Sequence, residues 1–154
     1  MKFKACIGIL VASLVVREAV SFAYQKDDLS GKKAESQQAQ LIQPEFITAE
    51  ELKAKIAKNQ PLSVVDLRAQ SSFEQSDTRI KGSFHARVRK VAHQLRETPR
   101  DREVVTFCAC PADEAAILAA RSLLEHGFKK VRVLKGGWKA WLEAGGQVES
   151  KPRL

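Results

Sequence analysis

The strongest structural signal in this 154-residue chain is Val104-Val-Thr-Phe-Cys-Ala-Cys-Pro-Ala-Asp-Glu114. Its first four residues are apolar or β-branched, and the charged turn at 99–102 precedes them. A run this short predicts a buried strand rather than a helix. A helix is predicted to follow over 113–126, with Gly127 directly after its end. Cys108 therefore lies where a buried strand leads into a helix.

Short strands and helices alternate on both sides of that stretch. The capping box Thr48-Ala-Glu-Glu51 begins a helix, and Gly136-Gly137 begins another. Further helical patterns lie at 70–75 and 88–95. Strand-like runs lie at 63–67, 80–85 and 131–134. This alternation indicates an α/β fold with a parallel sheet. Sites in such sheets lie beyond the carboxyl ends of the strands, which is the position of Cys108.

The amino terminus has the features of a signal peptide. Lys2 and Lys4 precede an uncharged apolar run at 5–16, and Ser21-Phe-Ala23 has small residues at the positions that a signal peptidase inspects. The run is shorter than the about 20 residues that span a bilayer as a helix. The alternatives are an uncleaved anchor and a buried amphipathic helix of the domain.

The domain boundaries follow from composition. Residues after Ala23 are polar and lack apolar periodicity, so they cannot bury enough surface to offset the entropy of ordering. We predict a signal peptide at 1–23, a flexible polar linker at 24–43, one folded domain at 44–149 and a C-terminal tail at 150–154. The mature protein is expected to be exported, periplasmic or secreted, without stable membrane insertion.

Charge and cysteine content exclude several classes of protein. The formal net charge is +8, but the basic residues are scattered and no aromatic residues alternate with them, so no nucleic acid partner is expected. Three cysteines are too few for a disulfide framework, and Cys6 lies in the predicted signal peptide. The histidines are isolated, so neither a metal site nor a cofactor is expected.

Cys108 has the surroundings of a reactive thiol. A loop of backbone N–H groups and a helix amino terminus both stabilise anions, which predicts a lowered pKa for this thiol and a site for a small anion. The alternative is an inert buried cysteine. The residues predicted to bind the anion through the loop backbone are Ala109, Pro111, Ala112, Asp113 and Glu114.

Five marks, taken together, resemble the rhodanese-like domain family. They are Val64-Val-Asp-Leu-Arg68, Phe73 with Arg79-Ile-Lys-Gly-Ser83, His85, Val104 to Cys108, and Leu134-Lys-Gly-Gly-Trp138 with Trp141 and Gly145. The resemblance covers roughly residues 47–148. It implies a parallel sheet flanked by helices and transfer of sulfane sulfur through a cysteine persulfide. It also implies that Asp66 and Arg68 are structural supports that tie a strand end to neighbouring loops.

The loop departs from the family pattern, which is rich in glycine and basic residues. Here it contains neither, and Asp113 and Glu114 lower the positive potential that an anionic substrate needs. These acids are expected to cap the helix with their side chains free to face solvent, and Pro111 is expected at the first helical position. Cys110 adds a second thiol, so the pair has three possible roles: a disulfide, persulfide exchange, or binding of a soft metal.

The sequence therefore predicts an exported sulfurtransferase similar to thiosulfate sulfurtransferases, with Cys108 as nucleophile and Cys110 as a second catalytic thiol. The reverse assignment, with Cys110 as nucleophile, stays open. The expected partner is a small sulfur-containing anion or a thiol acceptor. One alternative is a non-enzymatic carrier of sulfur or metal on the same fold. The other is a thiol-dependent redox or oxyanion-reducing enzyme.

Overall fold

The computed structural model describes residues 43–151. The predicted signal peptide, nearly all of the predicted linker and residues 152–154 lie outside the described residues. The elements, in chain order, are β1 (Glu45–Ile47), α1 (Ala49–Ala57), β2 (Leu62–Asp66), α2 (Gln70–Gln75), β3 (Thr78–Ile80), β4 (Phe84–His85), a 3₁₀ turn (Val88–Lys90), α3 (Val91–Gln94), β5 (Glu103–Phe107), α4 (Glu114–Glu125), β6 (Val131–Leu134), α5 (Gly137–Glu143) and β7 (Val148–Ser150).

Five of the strands form one parallel sheet in the order β1-β6-β5-β2-β4. β5 occupies the centre, where it pairs with β2 over five residues and with β6 over three. The predicted α/β fold with a parallel sheet is confirmed. The sequence patterns did not predict β1, or the small antiparallel pair in which β3 meets β7. β7 ends at Ser150, one residue beyond the predicted end of the domain at 149.

Both faces of the central strand are buried. Val104 packs on one face with residues of α3 and α4, whereas Val105 and Phe107 pack on the other with residues of α1 and α5. All three side chains have no exposed surface, and each buried side chain of this size stabilises the fold by about 1.5–3 kcal/mol relative to an exposed one. Helices on both faces explain why apolar side chains of this strand point to both sides of the sheet instead of alternating with exposed polar ones.

The capping box begins α1 as predicted. The backbone N–H of Glu51 donates to Thr48 Oγ1 at 3.2 Å, and the N–H of Thr48 donates to Glu51 Oε2 at 3.0 Å. These bonds satisfy two N–H groups at the helix amino terminus. No helix between residues 43 and 151 is both long enough and apolar enough to cross a membrane.

Candidate active site

Cys108 follows β5 directly and begins the loop at residues 108–113, which we call the cysteine loop. The loop lies at the carboxyl end of the central strand, where the sequence placed it. Cys108 is 1% exposed, and its carbonyl oxygen accepts a hydrogen bond of 2.8 Å from the backbone N–H of Trp138. The first turn of α5 therefore holds Cys108 from outside the loop.

The two loop cysteines form a disulfide in the structure. The backbone N–H of Cys110 also donates to Cys108 Sγ at 3.4 Å. Cys110 is only partly buried, so the two cysteines differ in burial. The disulfide is one of the three arrangements that the sequence left open for this pair.

Several backbone N–H groups of the loop are available to an anion. Those of Ala109, Ala112 and Glu114 donate no hydrogen bond within residues 43–151, whereas the N–H of Asp113 donates to the carbonyl of Cys110 at 3.3 Å. Pro111 has no N–H and lies in a turn, because α4 begins only at Glu114. The prediction that Pro111 occupies the first helical position is therefore wrong.

Asp113 faces the protein interior, not solvent as expected. It is 6% exposed, and its Oδ2 accepts a hydrogen bond of 2.9 Å from the backbone N–H of Gly136. Its backbone is left-handed, with φ 55°, and its side chain makes no capping bond to α4. The left-handed residue turns its carboxyl group away from the helix and toward the start of α5. Only Glu114 is exposed, as both acids were expected to be.

Helix α5 approaches the cysteine loop so closely that a side chain is excluded at Gly137. A Cβ atom at this residue would lie 2.1 Å from the carbonyl oxygen of Cys108 and 3.2 Å from Asp113 Oδ1. The glycine pair was visible in the sequence as a helix start. Its contact with Cys108, and the role of Gly136 as a hydrogen-bond donor to Asp113, were not foreseen.

A buried ion pair supports the loop from the neighbouring strand. Arg68 Nη2 lies 2.7 Å from Asp66 Oδ2, and both side chains are almost fully buried. The guanidinium carbon of Arg68 also lies 4.2 Å from the centre of the Trp138 ring. Since Trp138 donates to the carbonyl of Cys108, this pair connects the end of β2 to the cysteine loop through α5.

Phe73 and His85, which the sequence offered only as marks of the fold, lie together beside this ion pair. Their rings stack with centroids 4.1 Å apart, and His85 Nε2 lies 2.9 Å from the carbonyl oxygen of Arg68. They hold the backbone of Arg68 in place. Within the described residues, no group of three or more histidine, cysteine, aspartate or glutamate side chains is arranged to hold a metal ion.

The sequence is similar to a known protein family and to named relatives. The family model of the rhodanese-like domain matches residues 48–144. The thiosulfate sulfurtransferase GlpE of Shewanella oneidensis is 34% identical over 83 residues, which cover 54% of this chain and 78% of that protein. A sulfurtransferase of Allochromatium vinosum is 27% identical over 99 residues, which cover 64% of this chain and 89% of that protein.

A solved structure has the same fold. The crystal structure of the Alr3790 protein from Anabaena superposes with a TM-score of 0.61 at 25% identity, over 68% of this chain and 82% of that one. Four of the five strands of the parallel sheet, the cysteine loop and the glycine-started last helix fall inside the residues that the family model matches. This chain belongs to the rhodanese-like domain family.

Proposed function

We propose that this protein is a sulfurtransferase that carries sulfane sulfur as a persulfide on Cys108. The observation that carries the proposal is the position of Cys108 at the end of β5, in a loop whose N–H groups at Ala109, Ala112 and Glu114 have no acceptor among the described residues. Such groups stabilise both a thiolate and a bound anion. Two relatives named as sulfurtransferases support the same chemistry.

The reaction proceeds in two displacements at sulfur. In the reduced protein the Cys108 thiolate attacks the outer sulfur of thiosulfate, the sulfur–sulfur bond of thiosulfate breaks, and sulfite leaves with the bonding electrons. The persulfide that results is an anion, which the loop N–H groups stabilise. A nucleophilic acceptor such as cyanide or a thiolate then attacks the outer sulfur and restores the Cys108 thiolate.

The test is a thiosulfate-to-cyanide assay on protein reduced with a dithiol and then freed of it. Wild-type protein is expected to form thiocyanate, and after thiosulfate alone Cys110→Ser should gain the mass of one sulfur atom, mapped to Cys108. Cys108→Ser should form no thiocyanate, whereas Cys110→Ser should keep a measurable fraction of the activity. An active Cys108→Ser variant together with an inactive Cys110→Ser variant would reverse the assignment.

We also propose that residues 1–23 direct export and are removed. The support is the basic start, the apolar run at 5–16 and the small residues of Ser21-Phe-Ala23. Amino-terminal sequencing of the mature protein from a cell fraction outside the cytoplasm should begin at Tyr24. Protein that is found only in the cytoplasm and still begins with Met1 would contradict this proposal.

A further inference from the structure

The loop contains a second cysteine that persulfide transfer does not require, and the two cysteines differ in burial. A persulfide carrier needs one thiol, yet this loop places Cys110 within bonding range of Cys108. Cys108 is 1% exposed, and Cys110 is partly open to solvent. The second thiol is therefore placed to react with the sulfur of the first and with molecules from outside.

We propose that Cys110 releases the carried sulfur as hydrosulfide, and that an external dithiol then reopens the Cys108–Cys110 disulfide by attacking Cys110. This inference rests on the proposed function, because it begins from the Cys108 persulfide. It adds a second half-reaction, the reductive release of sulfide, and a class of co-substrate, a dithiol.

The release step balances without an added oxidant. The Cys110 thiolate attacks the inner sulfur of the Cys108 persulfide, which is Cys108 Sγ itself. The bond from that sulfur to the carried sulfur breaks, and hydrosulfide leaves with the bonding electrons and with the proton that the Cys110 thiol lost on becoming a thiolate. The bond that forms is the disulfide of the structure, which already joins Cys110 Sγ to Cys108 Sγ.

The burial of the two cysteines determines which of them an external thiolate attacks when the disulfide is reopened. Cys110 is only partly buried and is the cysteine that an incoming thiolate reaches, whereas Cys108 is 1% exposed and its carbonyl is held by the first turn of α5. Attack on Cys110 breaks the disulfide and expels Cys108 as a thiolate. The N–H of Cys110, 3.4 Å from Cys108 Sγ, stabilises that leaving group. A better-stabilised leaving thiolate departs faster in thiol–disulfide exchange.

The second thiol of the dithiol completes the cycle. It attacks the mixed disulfide on the external sulfur, so that Cys110 leaves as a thiol and the reductant departs as its own disulfide. Two electrons pass from the dithiol to the protein, and they balance the sulfane sulfur that left as hydrosulfide. A monothiol needs a second molecule for this step and is expected to be less efficient.

The release step is tested in a single turnover without free reductant. Reduced wild-type protein given thiosulfate should release about stoichiometric hydrosulfide and lose both thiols to the disulfide, measured by sulfide trapping and peptide mass. Cys110→Ser should keep its sulfur and release hydrosulfide at least about tenfold more slowly than wild-type protein. The variant lacks the intramolecular thiol, which acts at a high effective concentration. Cys110→Ala serves as a second variant without a hydroxyl group.

The direction of reopening is tested with glutathione. Oxidised wild-type protein is treated briefly, acid-quenched and alkylated, and the mixed disulfide is mapped by mass. Glutathione on Cys110 with alkylated Cys108 is expected, and glutathione on Cys108 would overturn the proposed direction.

The two proposals fail in different ways. If the Cys110 variants take up sulfur but wild-type protein keeps its persulfide without releasing sulfide, the release step is refuted and the sulfurtransferase stands. If no variant takes up sulfur or forms thiocyanate, the sulfurtransferase fails and the release step fails with it.

Discussion

Replacing Gly137 by alanine tests the close contact between α5 and the cysteine loop through its effect on stability and activity. A Cβ at Gly137 would lie 2.1 Å from the carbonyl oxygen of Cys108 and 3.1 Å from its carbonyl carbon, so backbone would have to move. The overpacking costs about 1–3 kcal/mol, and the positive φ of 51° adds about 1–2 kcal/mol for a residue with a side chain. The sum is a loss of about 2–5 kcal/mol in the free energy of unfolding.

The matched control is Gly145→Ala, at the other end of the same helix. Gly145 has a similar φ of 62°, but a Cβ there would meet no atom within 4 Å. Only the backbone term of about 1–2 kcal/mol should apply. Because Gly137→Ala also displaces the carbonyl of Cys108, we expect thiocyanate formation to fall about tenfold to a hundredfold in that variant alone.

Guanidinium unfolding of both variants, read by tryptophan fluorescence, gives the two free energies, and the thiosulfate-to-cyanide assay gives the activities. Equal losses of stability in the two variants, with equal activities, would refute the close contact between Gly137 and Cys108.

Two further substitutions test the supports of the loop. Arg68→Leu leaves the buried Asp66 without its ion-pair partner and should lower the free energy of unfolding by about 3–5 kcal/mol in chemical denaturation. A loss as small as that of a surface substitution would contradict the buried pair. Asp113→Ala leaves the N–H of Gly136 without its acceptor and should lower the free energy of unfolding by about 1–3 kcal/mol in the same measurement. Asp113→Asn keeps an acceptor oxygen and should lower it less. The opposite order of these two losses would contradict the hydrogen bond.

The sequence alone was sufficient for the central elements. β5, α4 and β6 were predicted close to their bounds because each is long enough to show its own periodicity. The capping box of α1 was predictable because its two hydrogen bonds join residues only three apart. The position of Cys108 at the carboxyl end of a buried strand followed from the same local patterns.

Short elements stabilised by distant partners were not predictable. β3 and β7 contain three residues each, and they pair across about 70 residues of chain, with Arg79 and Glu149 joined by a salt bridge of 2.8 Å. A three-residue strand has too little periodicity to be recognised by itself. Its stability comes from the pairing, which the sequence does not display.

The sequence by itself determined which residues form the candidate site: a cysteine at the end of a buried strand, a second thiol two residues later, and a glycine pair at the last helix. Only the tertiary structure decided how they are buried and what they contact. It buries Cys108 fully and Cys110 only in part, and it turns Asp113 inward onto Gly136, 23 residues away. The reason is physical: periodicity and capping act within a few residues, whereas burial and the hydrogen bonds of the loop depend on segments that meet only after the chain has folded.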